Sequence, residues 1–183
     1  MRLFIDISPS DTVRAELSRF SEEMRCKVPG RYAPPELYHL TLAFLGERAE
    51  ESLPALHSLM ADTVATVSPF SVRLAGTGSF GLPRNAILYA AISPSAELNT
   101  LASALRQKLE QAGESYDPTP FTPHITLARK ALIPERTVME RPAPLSFSIT
   151  GITLFHSVRI EGLLRYLPLF TISLQSGIPE EKE

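Results

Sequence analysis

The chain has 183 residues, 44% hydrophobic and 21% charged, proportions of an ordinary globular domain that exclude disordered and fibrous classes. Eighteen basic residues against twenty acidic ones leave a formal charge of −2, too little positive charge for a face that wraps duplex nucleic acid by displacing counterions. The single cysteine, Cys26, excludes an internal disulfide and any multi-cysteine metal framework.

Met1-Arg2-Leu3-Phe4-Ile5-Asp6-Ile7 opens the chain. Asp6 breaks its apolar run early, so the segment reads as a buried strand, Leu3–Ile7, and not as a signal peptide or membrane span. With one thiol and no targeting pattern, a cytoplasmic chain is expected. Ser8-Pro9 follows, with serine suited to a helix N-cap and proline to a first turn. Val13, Leu17, Phe20 and Met24 then recur at spacings of four, three and four, the stripe of an amphipathic helix. A proline-bounded loop leads to a strand at His39-Leu40-Thr41-Leu42-Ala43. A second helix is predicted over Ala49–Val67 and a strand over Phe70–Ala75, with Gly76–Gly81 as a hairpin turn beside the cleft. The strand Ile87–Ile92 runs into Ser93-Pro94, and Leu98, Leu101, Leu105 and Leu109 form another helical stripe that Gly113 ends. The strand at His124-Ile125-Thr126-Leu127-Ala128 comes next. The proline-broken connection Ala131–Pro144 does not read as a helix, and two further strands fall near Leu145–Phe155 and Leu164–Leu174. Sixteen prolines, about 9% against a usual ~5%, separate apolar segments and do not interrupt them. Residues 176–183 read as a flexible tail.

The chain repeats itself at an offset of 85 residues. Phe4-Ile5-Asp6-Ile7-Ser8-Pro9-Ser10 aligns with Tyr89-Ala90-Ala91-Ile92-Ser93-Pro94-Ser95, and the same shift carries His39-Leu40-Thr41-Leu42-Ala43 onto His124-Ile125-Thr126-Leu127-Ala128. The reading is an α+β fold: two pseudo-symmetric lobes of antiparallel sheet with helices packed outside and a central cleft. A single bilobal domain spans 1–175, with halves of about 1–83 and 84–175.

Residues i and i+2 of a strand share a face. His39, Thr41 and Ala43 therefore point one way and Leu40, Leu42 and Phe44 the other, into a core; His124, Thr126 and Ala128 repeat the pattern. If the polar faces meet across one cleft, each lobe supplies an imidazole and a hydroxyl. That set can break a phosphodiester without metal. One histidine takes a proton from the nucleophile and the other gives one to the leaving oxygen, both feasible for a group with an ordinary pKa near ~6.5. The threonine hydroxyls can donate to the non-bridging oxygens.

At these residues the chain resembles the two-histidine phosphoesterase superfamily, and within it the RNA 2′,3′-cyclic phosphodiesterase family, also called 2′-5′ RNA ligase-like or LigT-like. The resemblance runs through Met1-Arg2-Leu3-Phe4-Ile5-Asp6, His39-Leu40-Thr41-Leu42-Ala43-Phe44-Leu45-Gly46-Glu47, Phe121-Thr122-Pro123-His124-Ile125-Thr126-Leu127-Ala128-Arg129 and Arg165-Tyr166-Leu167-Pro168-Leu169. It implies hydrolysis of a terminal RNA 2′,3′-cyclic phosphate to a 2′-phosphate without a cofactor, alongside reversible 2′-5′ ligation. It casts His39 as the acid that protonates O3′ and His124 as the base that activates water. Arg129 matches a family arginine that binds phosphate. Strand parity turns it away from His124 unless the strand ends or bulges before it; otherwise it forms a surface salt bridge. Tyr38 stands where many relatives have asparagine, and Ala86-Ile87-Leu88-Tyr89 lacks a tryptophan that relatives carry, departures that would shape the nucleoside pocket. The partners expected are RNA ends or nucleotides with a 2′,3′-cyclic phosphate; a monomer without metal or membrane contact is expected.

Other readings are weaker. His57 and His156 are unrepeated and read as structural. A metal site lacks ligands, since threonine is the nearest partner of each motif histidine and no acid lies within two residues of either. No Gly-x-Ser-x-Gly elbow or Walker loop is present. The alternatives are a phosphodiesterase for a small cyclic nucleotide or a non-catalytic binder of RNA ends, the latter at odds with two complete motifs. Arg2, Arg73, Arg84, Arg129 and Arg165 are the candidates for a locally positive cleft.

Overall fold

The structure, a computed structural model, describes residues 1–134 and 140–175; the predicted tail at 176–183 lies outside the described residues. The elements are β1 (Arg2–Ile7), α1 (Asp11–Arg25), β2 (Arg31–Tyr32), β3 (Leu40–Glu47), α2 (Leu53–Val64), β4 (Phe70–Phe80), β5 (Ala86–Ile92), α3 (Ala96–Gln111), β6 (His124–Ala131), β7 (Ser146–Ile149), β8 (Gly151–Ile160) and β9 (Leu163–Ser173), with short 3₁₀ turns at Pro35–Leu37 and Glu50–Ser52. The fold is α+β, with two antiparallel sheets ordered β3-β1-β8-β9 and β2-β6-β5-β4-β7.

The two helical stripes do what their spacing requires. Val13, Leu17, Phe20 and Met24 of α1 are buried, as are Leu98, Leu101, Leu105 and Leu109 of α3. They join Leu3, Ile5 and Ile7 of β1 in one continuous core, where burying each large apolar side chain contributes roughly 1.5–3 kcal/mol. The helices start two residues later than Ser-Pro suggests. Ser10 and Ser95, at the same repeat offset, are the N-caps, accepting from Val13 N (3.4 Å) and Leu98 N (3.1 Å). Gly113 ends α3 at φ 72°, and Glu114 N–H closes back on Leu109 O.

The sheets do not divide where the repeats do. β4 of the first repeat pairs with β5, and β8 of the second pairs with β1. Each repeat thus completes the other's sheet, and the crossing strands tie the halves together. The predicted strand at Leu145–Phe155 is two strands in different sheets: β7 pairs with β4, the chain crosses at Thr150, and β8 continues beside β1. Gly151 stands at that crossing, where a Cβ would lie 2.9 Å from Ile172 O. The glycine-rich Gly76–Phe80 is strand and not turn, because Gly76 and Gly78 pair with Ala91 and Tyr89. A Cβ on Gly78 would fall 2.4 Å from the Tyr89 hydroxyl, so glycine there makes room for that ring. The turn itself follows at Gly81, with φ 82°.

Candidate active site

A β-bulge in each histidine strand decides which side chains reach the cleft. Between β1 and β3, Ile5 pairs with Ala43 but Asp6 with Thr41, leaving Leu42 as an extra residue. Between β5 and β6, Leu88 pairs with Ala128 but Tyr89 with Thr126, leaving Leu127 extra. Leu42 and Leu127 are the same position of the repeat. Two consecutive residues are buried at each bulge, Leu42-Ala43 and Leu127-Ala128, all with no exposure, and the alternation inverts beyond them. Ala43 and Ala128 therefore face the core, contrary to strict parity, and Phe44 and Arg129 turn outward. Arg129 is delivered to the cleft by the bulge; the residue after it, Lys130, has a left-handed φ of 51°.

His39 and His124 are held alike. His39 Nδ1–H donates to Leu37 O and His124 Nδ1–H to Thr122 O, both at 2.6 Å. A carbonyl only accepts, so each neutral ring carries its proton on Nδ1 and offers Nε2 as the free lone pair. Two aromatic rings brace each imidazole. Phe4 and Tyr166 lie 5.2 and 5.0 Å from His39, and Tyr89 and Phe80 lie 5.2 and 4.9 Å from His124. Phe4 and Tyr89 are aligned aromatics in the repeat, a signal that sequence reading could have used.

The loops ahead of the histidines are pinned by arginines that sequence reading missed. Arg14 of α1 donates to Pro35 O (2.8 Å) and Tyr38 O (3.0 Å). Arg106 of α3 donates to Thr119 O (2.8 Å) and to Leu42 O (3.1 Å), the carbonyl of the bulge residue itself. Tyr38 is not a pocket residue. It is buried, and its hydroxyl lies 2.9 Å from Ser21 Oγ on α1.

The cleft has two compartments that adjoin at Thr41 and Phe44. The larger, about 740 Å³, holds His39, Arg129, Phe4 and Tyr166 and extends past Arg2 and Glu47 to Arg159 and Leu164 on the β8–β9 hairpin. The smaller, about 430 Å³, holds His124 between Phe44, Phe80, Ile87, Pro120 and Phe121. Thr126 is half-buried on the His124 strand but lines neither compartment. His156, read as structural, stands on the wall of the larger one, whereas His57 is exposed on α2 against Phe170. Of the other candidate arginines, Arg2 lines the cleft, Arg165 pairs with Glu36 at 3.6 Å, and Arg73 donates to Pro144 O. Arg84 lies in the β4–β5 turn.

Burial pushes the His39 pKa down to about 4, helped by the nearby charges of Arg129, His124 and Arg14 and opposed by the Leu37 carbonyl. His124 is lowered by burial first, with Arg129 adding to it. Both imidazoles are thus neutral at pH 7 in the free protein. In the sheet that carries the His39 strand, Asp6 is buried in a cross-strand row with Thr41 and Thr153. Its Oδ1 has no hydrogen-bond partner, and burial raises its carboxyl well above the ordinary range against the pull of Arg14. Among the described residues, no three histidine, cysteine, aspartate or glutamate side chains gather as a metal site, and no helix is long and apolar enough to cross a membrane.

A two-lobed α+β chain with one carbonyl-anchored histidine per lobe, facing a shared cleft, has the architecture of a two-histidine phosphoesterase. The sequence profile of the 2′-5′ RNA ligase superfamily matches residues 9–161, and the chain belongs to that family. An RNA 2′,3′-cyclic phosphodiesterase of Escherichia coli is 32% identical over 169 residues, 92% of this chain and 93% of that protein. One of Geobacillus stearothermophilus is 37% identical over 131 residues, 69% of this chain but 41% of that protein, so this chain spans less than half of that relative. The crystal structure of E. coli LigT complexed with 3′-AMP superposes with a TM-score of 0.83 at 30% identity, covering 94% of this chain and 97% of the other.

Proposed function

We propose that this chain is an RNA 2′,3′-cyclic phosphodiesterase that opens a terminal cyclic phosphate to a 2′-phosphate, with His39 as general acid and His124 as general base. The observation that supports this most directly is the pair of imidazoles with the same Nδ1–H tautomer, one in each of two adjoining compartments. Water gives a proton to His124 Nε2 as its oxygen attacks phosphorus. The P–O3′ bond breaks, and His39 Nε2–H protonates O3′. His124 ends with a proton gained and His39 with one lost, and exchange with solvent restores both. Thr41, which lines both compartments, donates to a non-bridging oxygen, and Arg129 neutralises the phosphate; Thr126, set back from both, is left without a substrate contact.

His39 has to carry a second proton to act as the acid, which the free protein disfavours. A bound phosphodiester anion supplies the counter-charge that is missing and masks Arg129, so the acid is loaded as substrate arrives. The reaction then needs no metal or cofactor, and the enzyme works as a cytoplasmic monomer; sedimentation and cell fractionation test the last two points. The central test is incubation of a short RNA ending in a 2′,3′-cyclic phosphate with the protein in excess EDTA, followed by analysis of the product end. A 2′-phosphate is expected. A 3′-phosphate would reverse the leaving oxygen, and activity lost in EDTA but restored by zinc would overturn the metal-free mechanism.

A further inference from the structure

The two compartments differ in charge in a way that one cyclic phosphate does not require. In the smaller one the guanidinium of Arg106 is already engaged by Leu42 O and Thr119 O and lies over Phe121 at 5.4 Å. The Asp117 carboxylate accepts from Thr119 N (2.9 Å) and Thr119 Oγ1 (2.6 Å). What remains is an aromatic and aliphatic wall, chemistry for a base or sugar face. The larger compartment carries Arg2, Arg129 and Arg159 against one carboxylate, Glu47, which faces the Met1 amino group at 3.6 Å. Among the described residues none of these three arginines is in an ion pair.

The arginines are also not in one place. Arg129 belongs to β6 and enters beside His39. Arg2 sits at the start of β1 with its guanidinium 5.0 Å above the Phe44 ring. Arg159 stands at the far end of β8, tethered to Gly162 O at 3.0 Å in the hairpin turn. Cations on three strands of one compartment, from the one beside the histidine to the one at the hairpin and with Arg2 over an aromatic ring, suit a single-stranded nucleic acid backbone. A volume of about 740 Å³ lies toward the upper end of the range for ligand pockets, about 300–1,000 Å³, and leaves room past the reacting phosphate.

Resting on the activity proposed above, we propose that the larger compartment holds a second phosphate-binding subsite, formed by Arg2 and Arg159, for the phosphate on the 5′ side of the terminal nucleoside. The reacting cyclic phosphate sits at His39 and Arg129, and the charge one nucleotide upstream sits on the β1 start and the β8–β9 hairpin. The enzyme thereby prefers an RNA end to a nucleoside cyclic phosphate. Two sources carry that phosphate, the internucleotide diester of a strand and the 5′-phosphate of a mononucleotide.

The test compares kcat/KM for three substrates with one terminal base: the nucleoside 2′,3′-cyclic phosphate, its 5′-phosphorylated form, and a dinucleotide ending in the same ring. The expected result is about a tenfold advantage for both substrates that carry the upstream phosphate. The log–log salt dependence should be steeper by about 0.7 for the added contact. In Arg159→Ala and Arg2→Ala the ratio of dinucleotide to nucleoside kcat/KM should fall toward one. Equal values for all three substrates in the wild-type protein would overturn the subsite. An advantage confined to the dinucleotide and insensitive to salt would assign the gain to the second nucleoside and overturn it equally. An advantage confined to the 5′-phosphorylated nucleoside would keep the phosphate subsite and overturn the preference for a strand. No turnover of any of the three would instead sink the proposed activity itself, and this inference with it.

Discussion

The His39 and His124 sides of the cleft share a means of holding their imidazoles and differ in what the next turn of strand presents. Each side has a backbone carbonyl fixing the tautomer, two rings bracing the imidazole, and a bulge at the equivalent leucine. Past the bulge the repeat diverges. The position that is Phe44 on one strand is Arg129 on the other. Phe44 separates the compartments, and Arg129 charges the larger one. Neighbours of the two threonines differ as well, since Thr41 pairs with Asp6 and Thr126 with Tyr89. Duplication therefore accounts for the paired acid–base geometry, while the substituted faces account for its polarity.

The strongest test of that likeness is removal of either imidazole. His39→Ala and His124→Ala should each reduce kcat by about 10²–10⁴-fold, the range for one proton-transfer role, with far-UV circular dichroism and melting temperature close to wild type. If one variant retained near-wild-type turnover, the symmetric acid–base pair would be wrong. If either unfolded, the histidine would be structural.

Arg129 tests the asymmetry. Arg129→Ala should lower kcat/KM by about 10²–10³-fold, comparable to loss of one charge-stabilising donor in a transition state. Because its charge also holds down both histidines, their pKa values should rise in the free variant, visible by NMR titration of the imidazole resonances. Phe44→Ala should leave both titrations in place. A loss of activity in Arg129→Ala without movement of either titration would separate phosphate binding from the electrostatic role.

His39 also links pH to stability. Its folded pKa of about 4 lies below the ordinary ~6.5 of an unfolded chain. The unfolded state therefore binds the proton first, and the stability present above pH ~6.5 is lost as pH falls toward about 4, by up to roughly 3 kcal/mol. Asp6 has the opposite sign: with its carboxyl raised, stability is greatest below the unfolded carboxylate range and declines as pH rises through the folded value. Denaturant melts between pH 4 and 7 should show the acid loss in the wild type and a much smaller one in His39→Ala. Parallel curves would place the acid sensitivity elsewhere.

Much of this was legible in the residues. Stripes such as Val13–Leu17–Phe20–Met24 obey a local period, so helices α1 and α3 could be read directly, and the double His-x-Thr pattern survived because it recurs at one offset. What could not be read is non-local. Period-two parity has no place for an extra residue, so it puts Ala43 and Phe44 on each other's faces and leaves Arg129 between a bulge and a surface ion pair, a choice that only the strand register decides. Glycine at 76 and 78 signals a turn by its freedom, yet both pair within β4, and Gly78 makes room for the Tyr89 ring. The sheet order depends on pairings such as β8 with β1 and β7 with β4, whose partners lie far along the chain and which alternation of polar and apolar residues cannot specify.

The smallest effect concerns how the two strands leave their bulges. β3 turns through a positive φ at Gly46 (73°), two residues after Phe44, whereas β6 does so at Lys130 (51°), directly after Arg129. A side chain in that conformation costs about 1–2 kcal/mol, partly offset because glycine loses more chain entropy on folding, roughly 0.5–1 kcal/mol. Lys130→Gly should therefore raise stability by up to about 1 kcal/mol in thermal melts. It should also raise KM a few-fold, because the constraint next to Arg129 relaxes and the guanidinium spends less time over the phosphate. Greater stability with unchanged KM would mean that the backbone at Lys130 does nothing to aim Arg129. Lower stability would mean that the exposed lysine side chain contributes more than its left-handed φ takes away. Gly46→Lys, the reverse exchange on the other strand, should be destabilising, with KM altered less because Phe44 carries no charge for the substrate.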